Sequence, residues 1–445
     1  MTDHSVSAER GACAFDAYHP PSAALINECV HCGFCLATCP TYALWGNEMD
    51  SPRGRIYLMK LASEGEIGLD STFVHHMDNC LGCMACMTAC PSGVKYDKLI
   101  EATRAQIERN YDRSSVGSLQ RRIIFHFFPR PDRLRRLLLP MKVYQRSGLQ
   151  WLVRKSGALN LLPKSLRTME ALMPASLPAI GEPALPEHVP AQGIRRLRAG
   201  LLTGCVQSVF FPEVNSATVR VLAAEGCEVV VPREQGCCGA LMTHAGEEIR
   251  ALDYARRIID VFEREQLDVI VSNAAGCGSN LKDFAYLLRD DARYAERART
   301  FSAKCRDVSE VLASLTPRAP RNTLPVRVAY HDACHLQHAQ SVKLQPRAVL
   351  ATIPGLELLE VGEPAICCGS AGIYNLVRPG PAEDLGARKV QHVLATGPNV
   401  VATGNPGCLL QLQSGMRRAG SKVPVVHLVQ LLDASIRGLS PESLF

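Results

Sequence analysis

No run of about 18 consecutive apolar residues occurs anywhere in the 445-residue chain, so no membrane-spanning helix is expected. Met1 to Cys39 contains no positively charged start followed by an apolar run, which argues against a secretory signal. The charge is nearly balanced. With 49 basic and 43 acidic side chains the formal net charge is only +6, too small to indicate nucleic acid as a partner. Neither a G-x-G-x-x-G turn after a strand nor a G-x-x-x-x-G-K-[ST] loop is present, so Rossmann-type dinucleotide binding and P-loop nucleotide binding lack their signatures. A composition of 47% hydrophobic and 21% charged residues excludes a disordered or fibrous chain. At this length the chain is expected to fold as about two to four globular units.

Cysteine is abundant instead. The chain has 19 thiols, many at two- and three-residue spacings. In so long a chain this indicates metal ligation rather than a secreted disulfide framework, and the expected compartment is the reducing cytosol. The expected protein is soluble or peripheral on the inner face of the cytoplasmic membrane.

Cys29, Cys32, Cys35 and Cys39, followed by Pro40, have the C-x2-C-x2-C-x3-C-P spacing of two-cluster ferredoxins. Cys80, Cys83, Cys86 and Cys90, followed by Pro91, repeat it 51 residues later. Three cysteines at i, i+3 and i+6 wrap a loop around three corners of a 4Fe-4S cubane. If Cys35 and Cys39 begin a helix they lie about 6 Å apart along one face. Cys39 is then better placed for a second cluster than for the first. The expected ligand sets are Cys29, Cys32, Cys35 with Cys90, and Cys80, Cys83, Cys86 with Cys39. Structural zinc is the alternative, but zinc motifs normally come as two separated C-x2-C pairs. The small residues Gly33, Ala37, Gly82, Ala85 and Ala89 permit backbone N–H groups to approach the sulfurs. Asn47 to Glu66 reads as a turn and a short helix. There Arg53 and Arg55 either steady cluster charge or face solvent.

From Arg121 to Glu170 the chain carries twelve Lys or Arg against only Asp132 and Glu170, interleaved with apolar residues such as Phe125, Phe127, Phe128 and Trp151. Such a stretch suits an anionic membrane surface or an acidic partner, and equally helices with a solvated basic face. Pro174, Pro178, Pro183, Pro186 and Pro190 then read as a linker.

Beyond residue 195 short β-branched runs alternate with amphipathic stretches, predicting βαβαβ units with parallel sheets. The pattern occurs twice. Cys205 matches Cys334, Cys237 and Cys238 match Cys367 and Cys368, and Cys277 matches Cys408, at offsets of 129, 130 and 131. Near-constant offsets indicate an internal duplication. In each half the thiols follow successive strands, where the loops of a parallel sheet line a ligand crevice. These eight cysteines are candidates for additional metal sites. Cys13, Cys227 and Cys305 read as ordinary thiols. His331, His335 and His338, around Cys334, are either proton carriers or polar residues at a loop rim. The fold class is α+β multidomain: a helical two-cluster ferredoxin-like domain (1–110), a basic helical segment and Pro-rich linker (111–195), and two α/β cysteine-rich domains (196–320 and 321–445).

The paired Cys-Cys-Gly turns at 237–239 and 367–369, with their flanking cysteines, resemble the cysteine-rich domain of heterodisulfide reductase and related oxidation subunits. Glu28 to Lys60, Cys80 to Ile100, Gly236 to Ala240, Leu336 to Gln340 and Cys367 to Gly372 together resemble the iron–sulfur subunit of bacterial glycolate oxidase. That resemblance implies an electron-transfer subunit with two 4Fe-4S clusters. A partner flavoprotein carrying FAD would oxidise glycolate to glyoxylate, and a quinone or other membrane acceptor would take the electrons. The alternatives are heterodisulfide reductase-like, lactate-utilisation or glycerol-3-phosphate dehydrogenase iron–sulfur subunits with a catalytic or quinone-linked C-terminal site. A purely structural role of the clusters in a docking scaffold is a third reading. Heterodisulfide reductase-type sites use a fifth cysteine where this chain has Asn280 and Gln411, which leaves open whether its cysteine-rich sites hold clusters.

Overall fold

The computed structural model describes residues 13–179 and 184–444. Pro183 of the Pro-rich run, and residues 1–12 of the stretch read for a secretory signal, lie outside the described residues. Residues 13–114 with 244–247 form one compact unit, and residues 115–243 with 248–444 form a second.

The first unit is helical. Ser51 accepts a hydrogen bond from the Gly54 amide, and Pro52 occupies the first turn, where a missing N–H costs nothing, so the chain enters the helix Pro52–Ser63 as the sequence predicts. Asp70 caps Ser71–Asn79 in the same way. The helix Tyr96–Asn110 buries Leu99, Ile100 and Ile107. Cys35 and Cys39 do not share a helix face as expected: Phe34 to Thr38 is a run of turns, and Cys39 caps a helix that starts only at Pro40. Proline at the first helical position fixes that boundary.

In the second unit the basic segment forms the helices Ser115–Phe127, Pro131–Arg146, Leu149–Lys155 and Lys164–Leu172. Ile124, Phe125, Leu134 and Leu138 are buried, whereas Ile123, Leu139, Val143, Trp151 and Leu152 are exposed beside the cationic side chains.

Two sheets follow. The first contains β1 (His188–Val189), β2 (Leu197–Leu202), β3 (Cys227–Val230), β4 (Val269–Ser272) and β5 (Cys305–Asp307), in the order β1-β3-β2-β4-β5. The second contains β6 (Arg327–Tyr330), β7 (Glu357–Glu360), β8 (Val400–Thr403) and β9 (Val425–His427), in the order β7-β6-β8-β9. Strands β2 to β5 and β6 to β9 are parallel and share one topology, in which the order reverses between β2 and β4 and between β6 and β8. The α/β repeat read from the sequence is present. The Pro-rich run is not wholly a linker: His188 and Val189, between Pro186 and Pro190, pair antiparallel with β3. As an edge strand of two residues, each with an N–H, β1 tolerates flanking prolines.

The two Cys-Cys-Gly turns need their glycines. Gly239 and Gly369 have φ of +85° and +88°. A Cβ at Gly369 would press into the backbone carbonyl of Ala382, and one at Gly239 would lie 3.1 Å from Tyr254 Cβ. Gly420, at φ +70°, has nothing within 4 Å of such a Cβ. Gly420→Ala is therefore expected to cost about 1–2 kcal/mol and Gly369→Ala about 2–5 kcal/mol. Urea unfolding followed by circular dichroism compares the two, and equal costs would contradict the close approach at Gly369.

Candidate metal centres

In the first unit, a cavity is lined by Cys29, Cys32, Cys35 and Cys90, with Cys86 on its wall. Cys32 is exposed and Cys29, Cys35 and Cys90 are half-buried, whereas Cys39, Cys80, Cys83 and Cys86 are buried. Burial pushes the Cys35 thiol up to about 11, with the thiolates of Cys39 and Cys29 adding to the shift. Burial likewise raises Cys86 strongly, and Cys83, Cys80 and Cys39 reinforce it. Cys80 behaves differently. Burial disfavours its thiolate, but the guanidiniums of Arg55 and Arg104 overcome that and hold its pKa below the ordinary thiol value. The Tyr96 hydroxyl, at 3.6 Å, and the Gly82 amide, at 3.3 Å, also donate to its Sγ.

Arg55 does not face solvent; it is 1% exposed. Its Nε donates to the His76 carbonyl at 2.7 Å, and its Nη2 to Thr41 Oγ1 at 3.2 Å and Asp50 Oδ1 at 3.1 Å. Thr41 Oγ1 lies 3.3 Å from Cys39 Sγ. One buried cation thus acts on both Cys39 and Cys80. Arg53 reaches the other loop, donating to the His31 carbonyl at 3.0 Å while paired with Glu48 at 2.6 Å. The alternation Arg53-Gly54-Arg55 signals two basic side chains near the motif, but nothing in the sequence marks one as buried.

In the second unit each group of thiols lies beyond the carboxyl ends of its strands, at the point where strand order reverses. Cys237 Sγ is 3.5 Å from Cys205 Sγ and accepts from the Gly239 amide at 3.4 Å. Cys334 Sγ is 3.9 Å from Cys367 Sγ. Cys238 lies beside Cys277, and Cys368 beside Cys408, close enough for each pair to oppose the charging of one another. The neighbouring Cys237 and Cys367 thiols lower Cys238 and Cys368 respectively, yet those partners and burial leave both well above the ordinary value. Cys205 and Cys334 are raised by their sulfur partners and by burial. Cys205, Cys237, Cys238, Cys334 and Cys368, held beside other thiols out of water, resist ionisation. A bound metal cation supplies the charge that reverses this, so the donor sets in both units fit thiolate-ligated iron.

Asn280 and Gln411 supply no fifth thiolate. Both are buried; Asn280 Nδ2 donates to the Cys238 carbonyl at 2.8 Å, and Gln411 Nε2 to the Ala382 carbonyl at 2.9 Å. Asn280 thus fastens the backbone of its Cys-Cys-Gly turn, and Gln411 that of the helix Pro379–Ala395, against which Gly369 packs. His331, His335 and His338 are buried rather than at a loop rim, because β6 runs directly into the loop that carries them. Burial, with the Lys389 charge beside it, lowers His331 to about 3, and burial lowers His338 to about 4. A ring nitrogen of His331 and the Sγ atoms of Cys368 and Cys408 lie within 4.8 Å of one another. Spacing does not reveal that group, because its members come from three separate segments, two loops and the first turn of the helix Pro406–Arg418. Cys227 and Cys305 are buried within β3 and β5, and Cys13 is exposed.

A model of the 4Fe-4S dicluster domain matches residues 28–94, one of the cysteine-rich domain matches 199–282 and 328–413, and one of the linker region of the glycolate oxidase iron–sulfur subunit matches 117–173. The chain is 42% identical over 411 residues to the probable glycolate oxidase iron–sulfur subunit of Bacillus subtilis, covering 91% of this chain and 93% of the relative. It is 34% identical over 424 residues to the glycolate oxidase iron–sulfur subunit of Escherichia coli, covering 93% and 94%. The fumarate reductase (CoM/CoB) of Methanothermobacter marburgensis has a subunit that is 36% identical over 239 residues, 53% of this chain and 46% of that one. Two near full-length relatives and matching models for each part place the chain among the iron–sulfur subunits of glycolate oxidase, as a component of an oxidoreductase complex.

Proposed function

We propose that this chain relays electrons from a separate FAD-bearing flavoprotein, which oxidises glycolate to glyoxylate, to a quinone or similar acceptor. The observation that carries the reading is the graded burial of two four-cysteine sets in one helical unit. One set reaches the surface at Cys32 and the other is enclosed. We assign Cys29, Cys32, Cys35 and Cys90 to one 4Fe-4S cluster and Cys80, Cys83, Cys86 and Cys39 to the other, within residues 1–110. Residues 111–195 form the linking segment, and 196–320 and 321–445 the two cysteine-rich domains. Such clusters supply one-electron transfer when bound, whereas glycolate oxidation removes two electrons, so a two-electron cofactor belongs on the partner.

The protein's own contribution is charge control. Arg55 and Arg104 stabilise negative charge at Cys80, and Arg53 does the same beside the 29–35 loop. Val30 and Phe34, each 68% exposed, flank Cys32 and provide an apolar landing surface where a redox partner can approach.

No helix among the described residues is long and apolar enough to cross a membrane. A cytoplasmic location, with peripheral contact through the cationic helices near Trp151, is part of the proposal. Those helices carry exposed apolar side chains beside exposed Arg135, Arg136 and Lys155.

Three outcomes are expected. Deleting the chain from its native cells abolishes glycolate-dependent dye reduction, and affinity purification of the tagged chain recovers an FAD-containing protein; retention of the activity together with a lone, flavin-free chain would overturn the relay. Removing the Arg55 charge destabilises the reduced, more negative cluster. Arg55→Gln should therefore lower the midpoint potential of one cluster by about 59 mV for each ~1.4 kcal/mol of lost stabilisation, while Arg55→Lys largely preserves it. Redox titration monitored by EPR reads this. The chain should also co-sediment with anionic but not neutral vesicles, and less so at high salt.

A further inference from the structure

The two cysteine-rich repeats match in thiols, in strand order and in their Cys-Cys-Gly turns, yet they differ in residues beside the thiols, His331 among them. His331 immediately follows β6, and the offset of 129 that relates Cys334 to Cys205 places it on Leu202 of β2. Ladder register agrees with that match: Leu201 pairs with Val271 in the first sheet, and Tyr330 with Ala402 in the second. The first repeat therefore offers four thiols and an apolar residue. The second offers four thiols, the imidazole of His331 and that of His335, whose Nδ1 lies 3.5 Å from Cys334 Sγ.

His331 is 2% exposed, and among the described residues its Nε2 has no hydrogen-bond partner. A buried ring nitrogen without a partner is destabilising unless something else satisfies it. Its ring nitrogen lies within 4.8 Å of Cys368 Sγ and of Cys408 Sγ, a spacing that one metal atom can bridge. Lys389, buried and donating to the Glu363 carbonyl at 2.6 Å, places positive charge near His331 and the thiols of Cys367 and Cys368. That charge suits a metal–thiolate centre with a net negative charge. Asn405 Nδ2 adds a hydrogen bond to Cys408 Sγ at 3.6 Å.

We propose that His331 ligates the metal of the second cysteine-rich repeat together with Cys368 and Cys408, so that this centre has a mixed imidazole–thiolate donor set and the first repeat's does not. The two repeats are then chemically distinct despite their common origin. Imidazole in place of a thiolate removes negative charge and raises the reduction potential of an iron centre. The metal is the iron of an iron–sulfur cluster or a zinc ion, both of which take this donor set. The proposal rests on the reading that the second repeat holds metal, and is independent of glycolate as substrate.

The test uses the full chain, purified without oxygen from cells supplied with 15N-histidine, then reduced. Pulsed EPR is expected to detect coupling to a directly bonded histidine nitrogen in the wild type, and to lose it in His331→Leu, the residue the first repeat carries. In His331→Leu, metal content falls by what the second repeat holds; in His331→Cys the metal is kept without the nitrogen coupling. Should the centre be zinc, absorption at the zinc edge gives nitrogen-plus-sulfur ligation that becomes sulfur-only or disappears in His331→Leu. The wild-type measurement stands whether or not the leucine variant folds. Metal signals without histidine nitrogen at either element, no metal in the second repeat, or nitrogen coupling that persists in His331→Leu overturn the assignment. Loss of glycolate-dependent dye reduction is measured separately, so a wrong substrate leaves this result standing.

Discussion

A single buried guanidinium holds the first unit's metal-binding region together. Arg55 is enclosed, and desolvation opposes its charge, yet Cys80, Tyr96, Cys39 and Asp50 together keep its pKa above the ordinary arginine value. It ties the carbonyl of His76 to Thr41 and Asp50. Asn79 Nδ2 completes the arrangement by donating to Asp50 Oδ1 at 3.1 Å. Removing one partner from such a buried ionic network leaves an uncompensated charge, which typically costs about 3–5 kcal/mol. The arrangement therefore makes the fold of this unit depend on the same charge that stabilises thiolate. Structure and thiolate charge are coupled through one side chain.

The second unit illustrates how a duplicated scaffold can diverge at its metal site. Both repeats put their thiols at the place where a parallel sheet reverses strand order, because only there do loops from three strands diverge and leave room. The amides of Asn280 and Gln411 each hold a backbone carbonyl rather than presenting a donor to the thiols. The repeats differ instead in residues such as the one at the carboxyl end of the first parallel strand, leucine in one and histidine in the other.

Much of this organisation can be read from the residues. Spaced cysteines, the proline after each motif and the near-constant offsets point to the ferredoxin-like motif pair and the duplicated α/β halves. β-branched runs such as Cys227–Val230 and Val269–Ser272 are recognisable because all or most of their side chains are buried. β1, β5 and β9 are not, since two or three residues cannot establish a period and Cys305–Asp307 alternates with an exposed arginine. Arg55 escapes because arginine is ordinarily a surface residue, and only the tertiary arrangement of Asp50, Thr41 and His76 gives it partners. The histidines near Cys334 escape for the converse reason. Their polarity suggests a rim, but a β6 strand feeding straight into the loop carries them inside.

Within the second unit the thiol-bearing loops of the two repeats are stitched to each other. The Ala275 amide donates to the Gly404 carbonyl at 3.0 Å, the Gly276 amide to Asn405 Oδ1 at 3.2 Å, and His427 Nε2 lies 2.8 Å from the Asn273 carbonyl. Cys205, Cys237, Cys238, Cys334, Cys367, Cys368 and Cys408 are all buried in these loops, and Cys277 is half-buried. Because these bonds cross from one repeat to the other, neither set of loops can shift without straining its counterpart.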